Sequence, residues 1–176
     1  SVCEALTAHP EINATTIYAP ARFARAAAFE AIDAKIPLIH IIAENIPVRD
    51  SAEIYAKAQQ AHVRILGPSS IGIISPGKGK IGSIGGEKNE QFMPGPVGLI
   101  SKSGGMSSEI STMLTRAELG QSTVVGIGGD RIIGTTFADL LPLFGADKQT
   151  KVVVMIGEIG GTYEEQAAEV LAQHTF

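Results

Sequence analysis

Val97-Gly98-Leu99-Ile100 runs directly into Ser101-Lys102-Ser103-Gly104-Gly105-Met106-Ser107-Ser108-Glu109, and this junction decides the reading of the fold. The first four residues are uncharged and do not alternate with polar positions, as expected of a strand covered on both faces of its sheet. The glycines then give a tight turn, and a helix is expected to about Glu118. Strand, turn and helix in this order form the building unit of an α/β fold.

Further apolar runs of strand length flank this one. They are Thr15–Tyr18, Ile36–Ile42, Val63–Leu66, Val124–Ile127 and Val152–Ile156. Most are followed by a stretch with helical spacing, which predicts parallel sheets. Pro20 suits the first position of a helix reaching about Ala34, where its missing N–H costs nothing. Asp50 with Glu53, and Thr162 with Glu165, have the spacing of capping boxes and predict helices near 51–61 and 163–174. Between Gly67 and Pro96, eight Gly and four Pro fall within thirty residues and no apolar period is visible. We therefore expect three parts: a first α/β part over 1–66, a Gly/Pro-rich connector over 67–96, and a second α/β part over 97–176.

Composition narrows the function classes. With 44% hydrophobic and 18% charged residues, the 176-residue chain is too apolar to be disordered. Charges, Gly or Pro interrupt every apolar run, so no membrane span is expected. The net charge of -4 and scattered Lys and Arg argue against a nucleic-acid partner. The single cysteine, Cys3, cannot form an internal disulfide, and residues 1–20 lack the pattern of a signal or transit peptide. A cytoplasmic setting is expected, or the mitochondrial matrix if the source is eukaryotic.

In open parallel sheets, ligands sit outside the carboxyl ends of the strands, where helix N-termini present unpaired N–H groups and a partial positive charge. At Ser101–Gly105 the glycines open the backbone to an anion, Ser103 adds a hydroxyl and Lys102 a charge. A plain tight turn is the competing reading. The second junction, Gly157-Glu158-Ile159-Gly160-Gly161-Thr162, ends a buried strand and matches neither a dinucleotide nor a Walker pattern. Glu158 there is either a solvated loop acid or a carboxylate holding a cationic or histidine partner. The Asp130-Arg131 pair, ending a third loop, reads as a surface salt bridge. His40 reads as a core residue, and His9, His62 and His174 lack metal-ligand spacing, so no metal site is expected.

Several strings resemble the alpha subunit of succinyl-CoA synthetase (succinate–CoA ligase). They are Ile65-Leu66-Gly67-Pro68, Pro76-Gly77 with Lys80-Ile81-Gly82, Ser101-Lys102-Ser103-Gly104, Gly126-Ile127-Gly128-Gly129-Asp130 and Met155-Ile156-Gly157-Glu158-Ile159-Gly160-Gly161. Ile17-Tyr18-Ala19-Pro20-Ala21 and Ile42-Ala43-Glu44-Asn45-Ile46-Pro47 extend the likeness over essentially the whole chain.

The resemblance implies a ligase of the tricarboxylic acid cycle that joins succinate to CoA, consuming a nucleoside triphosphate through a phosphorylated histidine. The implied fold is a partial Rossmann-like CoA-binding domain followed by a flavodoxin-like, parallel-sheet ligase domain. Ala19, Pro20, Ala21, Ile42, Ala43, Glu44 and Ser69 would touch CoA, with Ser69 standing where the family usually has Asn. Ser103, Gly104 and Gly105 would hold the phosphate, Glu158 would orient the phosphohistidine, and Ser108 would meet the substrate. ATP or GTP with Mg²⁺ would be bound mainly by a beta subunit with an ATP-grasp domain, in a heterodimer or heterotetramer.

Two departures qualify the likeness. The family's Gly-His-Ala-Gly segment and upstream Gly-rich CoA fingerprint are absent, so the chain is expected to be a fragment, inactive alone in the full reaction. Gly104-Gly105-Met106-Ser107, Gly129-Asp130-Arg131 and Ser108, in place of the usual Tyr, resemble ATP citrate lyase and citryl-CoA synthetase. A citrate-activating homologue is therefore the alternative, with a non-catalytic CoA-binding module behind it.

Overall fold

The computed structural model describes residues 1–86 and 89–173. His174 lies outside the described residues. After a short helix α1 (Val2–Ala8), the chain alternates β1 (Ala14–Ile17), α2 (Ala21–Asp33), β2 (Leu38–Ile41), α3 (Val48–Ala61) and β3 (Arg64–Leu66). These strands form a parallel sheet in the order β1-β2-β3. Helices α2 and α3 pack on each other and on this sheet. Small residues on the buried helical face, Ala24, Ala28, Ala31 and Ala58, let the helices approach Ile39, Ile41 and Ile65 closely, leaving a core with almost no exposed area.

The second sheet contains β4 (Gly72–Ser75), β5 (Gly79–Gly82), β6 (Pro94–Ser101), β7 (Gln121–Gly126) and β8 (Val152–Ile156), in the order β5-β4-β7-β6-β8. Strands β7, β6 and β8 are parallel, whereas β4 runs antiparallel to both β5 and β7. The three strands expected in the second part are thus parallel, and the antiparallel members come from the stretch before them. Residues 67–96, expected as a connector, contain the β4–β5 hairpin and a 3₁₀ turn at Asn89–Gln91. Antiparallel strands need only a tight turn between them, so a glycine-rich stretch can add two strands to the sheet edge.

Helices α4 (Gly104–Arg116), α5 (Phe137–Ala146) and α6 (Tyr163–Gln173) cover this sheet. Period two assigns side chains to its faces. Leu99 and Val124 join a core with Ile74 and Phe92, against which Ile110 of α4 packs. Ile100 and Val125 join a second core with Phe137, Leu141 and Phe144 of α5 and Ala167 of α6. Both faces of β6 and β7 are therefore dry, which is why these strands lack alternation.

Three expected helix starts differ. Pro20 is the N-cap of α2 rather than its first residue, a shift of one position. Helix α3 begins at Val48 behind Pro47, so Asp50 falls inside the first turn, where its charge still favours the helix N-terminus. The Thr162 hydroxyl accepts from the Gln166 side chain at 3.1 Å, in place of the expected capping box with Glu165. Among the described residues no helix is long and apolar enough to cross a membrane.

Candidate functional site

Because β7, β6 and β8 are parallel neighbours, the loops leaving their C-terminal ends lie side by side. The loop after β6 is shaped by serines. Ser101 Oγ donates to the Ser103 carbonyl at 2.8 Å and accepts from the Ser103 amide at 3.0 Å. Ser103 is the N-cap of α4, and its hydroxyl oxygen accepts from the Met106 amide at 3.3 Å. That leaves the amides of Gly104 and Gly105 with no acceptor among the described residues. Open space lies beside the Gly105 Cα, while Ile71 packs against Gly104. Free amides at the start of a 13-residue helix constitute an anion-binding arrangement.

Ser108 lies one turn further along α4. With Ile71, Ser83, Ile84, Gly85, Gly86, Gln91 and Gly104 it lines a cavity of about 310 Å³ beside the helix start. The Ser83–Gly86 wall is pinned by Lys80, whose Nζ donates to the Gly86 carbonyl at 2.7 Å and the Ile84 carbonyl at 3.3 Å.

Glu158 follows β8 and leans toward the neighbouring loops. Its carboxylate oxygens lie 3.3 and 3.6 Å from the point where a Cβ on Gly129 would stand, so the absence of a side chain there admits them. Its backbone N–H donates to the Glu164 carboxylate at 3.2 Å. Lys102 Nζ lies 3.6 Å from Glu158 Oε2, and the lysine side chain is only 7% exposed against 46% for the glutamate. The ammonium also sits 5.3 Å from the centre of the Tyr163 ring, and the Tyr163 hydroxyl donates to the Arg131 carbonyl at 3.3 Å. Lys102 was expected to lend its charge to the anion pocket; the structure turns it onto the carboxylate.

The residues expected at CoA follow the strands of the first sheet. Ala19, Pro20 and Ala21 come after β1, Ile42, Ala43 and Glu44 after β2, and Ser69 after β3, so parallel pairing collects all seven along one edge. Pro20 caps α2 without any side-chain hydrogen bond, leaving that helix N-terminus open as well. The Ser69 amide donates to the Ala43 carbonyl at 3.0 Å.

Asp130 does not form the expected salt bridge with Arg131. Burial pushes the Asp130 carboxyl above the usual range, the Ser69 hydrogen bond pulls it back, and the negative charge of Glu44 adds to the rise. The influence of Ser69 and Glu44 on Asp130 relates the loop after β7 to candidate residues of the first sheet. Nothing in the sequence spacing signals it, because the three residues lie on three separate loops.

The remaining histidines have structural places. His9 pairs with Glu11 at 3.1 Å on the surface, His62 is the left-handed C-cap of α3, and His40 is fully buried. Among the described residues, no three His, Cys, Asp or Glu side chains gather in a way that could hold a metal ion.

Residues 1–45 match the CoA binding domain and residues 100–176 match CoA-ligase. The chain is 49% identical over 163 residues to succinate–CoA ligase [ADP-forming] subunit alpha 2 of Archaeoglobus fulgidus, covering 93% of this chain and 56% of that protein. An ADP-forming sulfoacetate–CoA ligase subunit of Acholeplasma is 38% identical over 168 residues, covering 96% of this chain and 57% of that protein. The chain thus spans a little over half the length of these relatives. Among solved structures, ATP citrate lyase from Methanothrix soehngenii in complex with citrate and coenzyme A superposes with a TM-score of 0.91 and 30% identity, over 98% of this chain and 29% of that one. The chain is therefore a homologue of succinate–CoA ligase alpha subunits, with a CoA binding domain segment ahead of a CoA-ligase segment.

Proposed function

We propose that this chain is part of the alpha-type subunit of an acid–CoA ligase, forming succinyl-CoA from succinate, CoA and a nucleoside triphosphate through a phosphohistidine. The observation that carries this reading is the meeting of the open α4 N-terminus with Glu158 at the shared edge of β6, β7 and β8. Gly104 and Gly105 would donate their amides to the phosphoryl oxygens, assisted by the helix dipole, and the Ser103 proton remains free to join them. Glu158 would accept the N–H of the imidazole nitrogen that does not carry phosphorus, fixing the ring. Fixed donors and a fixed ring are what phosphoryl transfer requires, since its catalysis is mostly positioning and electrostatics.

CoA would lie along the first sheet's edge, with the open N-terminus of α2 facing its phosphates and Ala19–Ala21, Ile42–Glu44 and Ser69 lining its path. Ala19, Ala21, Ala43 and Ser69 carry little side-chain bulk, which fits an extended, phosphate-bearing ligand. CoA supplies the thiol of the product thioester. ATP or GTP with Mg²⁺ would be held by a beta subunit with an ATP-grasp domain, and the phosphorylated histidine would come from outside these 176 residues. Ser108 and the cavity beside it would receive the acid. The setting would be cytoplasmic, or the mitochondrial matrix in a eukaryote.

A second reading, citrate as the acid, is favoured by one observation, the 0.91 TM-score to the citrate-bound lyase over nearly the whole chain. The test uses the full native protein with its partner subunit and radiolabelled nucleotide. Wild type forms an acid-labile phosphoenzyme, discharged by succinate and CoA, and Glu158→Ala loses at least about tenfold in its rate of formation. Equal phosphorylation in Glu158→Ala removes the assigned role, and discharge by citrate but not succinate replaces the first acid with the second.

A further inference from the structure

Lys102 is a cation where the fold provides almost no water. Its side chain is 7% exposed, and burying an ammonium is costly unless an anion accompanies it. Among the described residues the anion within ion-pair range is Glu158, at 3.6 Å. The Tyr163 ring closes the other side at 5.3 Å, and the Tyr163 hydroxyl is fastened to the Arg131 carbonyl across the neighbouring loop. The Lys102 amide donates to the Ile156 carbonyl at 2.9 Å, extending the β6–β8 ladder to the residue beneath the glutamate loop. Lys102 is thus fixed at its backbone by β8 and at its head by an aromatic plane, while Glu158 is half-exposed and sits in a loop rich in glycine.

The exposed partner of this pair is the glutamate and the enclosed one is the lysine. We propose that Lys102 is a positioning residue: its buried ammonium holds the Glu158 carboxylate over Gly129, where the three loops meet. This rests on the function proposed above, which gives Glu158 its task. Glu158 has alternatives without Lys102, because its carboxylate is long enough and exposed enough to turn into solvent. The aliphatic stem of Lys102 contributes packing that an apolar residue of similar length would replace, so charge and packing can be separated by substitution.

The experiment uses the full native protein with its partner subunit and four variants: Lys102→Met, Lys102→Arg, Glu158→Ala and the double variant Lys102→Met/Glu158→Ala. Misplacing a catalytic group by about 1 Å costs on the order of a hundredfold, so Lys102→Met is expected to slow phosphoenzyme formation at least about tenfold, with CoA affinity unchanged. Lys102→Arg restores most of the rate. In the Glu158→Ala background, Lys102→Met has no further effect, because the group it positions is gone. A second measurement is independent of any reaction: the side-chain carboxylate ¹³C resonance of Glu158 moves in Lys102→Met and returns toward wild type in Lys102→Arg. Wild-type phosphorylation in Lys102→Met, an additive loss in the double variant, or an unmoved Glu158 resonance overturns the proposal. A wild-type protein that forms no phosphoenzyme defeats the function instead, and the resonance still decides the role of Lys102.

Discussion

His40 illustrates what a single side chain does when a fold takes it out of water. It lies on β2 with no exposed surface; Nε2 donates to the Ser70 carbonyl at 2.9 Å, and Nδ1 lies 3.4 Å from the Thr16 hydroxyl. Burial lowers its pKa from the ordinary 6.5, with the Ser70 bond opposing. The neutral ring is therefore favoured in the folded state, and the unfolded chain takes up the proton first. Stability present above about pH 6.5 is lost as the pH falls from there toward the folded-state value. Urea midpoints measured between pH 7.5 and 5.5 should fall in the wild type and fall less in His40→Gln. At the same scale, Gly128 has φ of +97°, and a Cβ there would stand 2.0 Å from the Pro68 carbonyl oxygen. Gly128→Ala should cost at least about 1–3 kcal/mol, read from the same midpoints. The sequence shows a glycine at 128 and an ammonium at 102. It does not show that Pro68 crosses over the first or that the second turns toward Glu158, because those contacts are made by other loops.

Among the elements, legibility followed apolar composition. Strands β6 and β7 are visible as apolar runs because helices cover both faces of their sheet, whereas β8, an edge strand with no buried residue, is visible because it reads Val-Val-Val-Met-Ile. The β4–β5 hairpin is invisible for the opposite reason. Its strands read Gly-Ile-Ile-Ser and Gly-Lys-Ile-Gly, too short and too glycine-rich to show a period, and β5 is an edge strand with exposed residues. Caps were read less well than strands. The glycine pair at the start of α4 was legible, but Ser103 was read as a donor to a ligand rather than as the cap it is, and the boxes expected at Asp50 and Thr162 are not formed. Thr136 forms a full capping box on α5 with Asp139, the Thr136 amide donating to Asp139 at 2.8 Å. Thr136→Ala should lower stability by about 1 kcal/mol, measurable by denaturant titration, without disturbing CoA binding.

At the scale of the molecule, the two sheets are stitched together by the segment from Gly67 to Ser70. The Ser70 hydroxyl donates to the Gly126 carbonyl and accepts from the Gly72 amide, while the Ser70 carbonyl accepts from His40. The Gly134 amide reaches the Gly67 carbonyl at 2.8 Å, and the Thr135 hydroxyl donates to the Ile65 carbonyl. Leu66, from the first sheet, is buried among Ile100, Val125 and Phe137 of the second. Ser70→Ala would leave two buried backbone groups unpaired, at about 1–3 kcal/mol each, and should lower a single cooperative transition rather than split it in two.

That seam has a mechanical meaning. With Ser70 bonded to both halves and Leu66 plugged across the boundary, the block should behave as one solid body, with a constant spacing between the two candidate edges. Under the proposed function, any journey between them would be made by the freight, a swinging thiol arm or an incoming phosphorylated loop, while the walls stay still. Fluorescent labels on α2 and α4 should report one unchanging separation whether or not CoA is added.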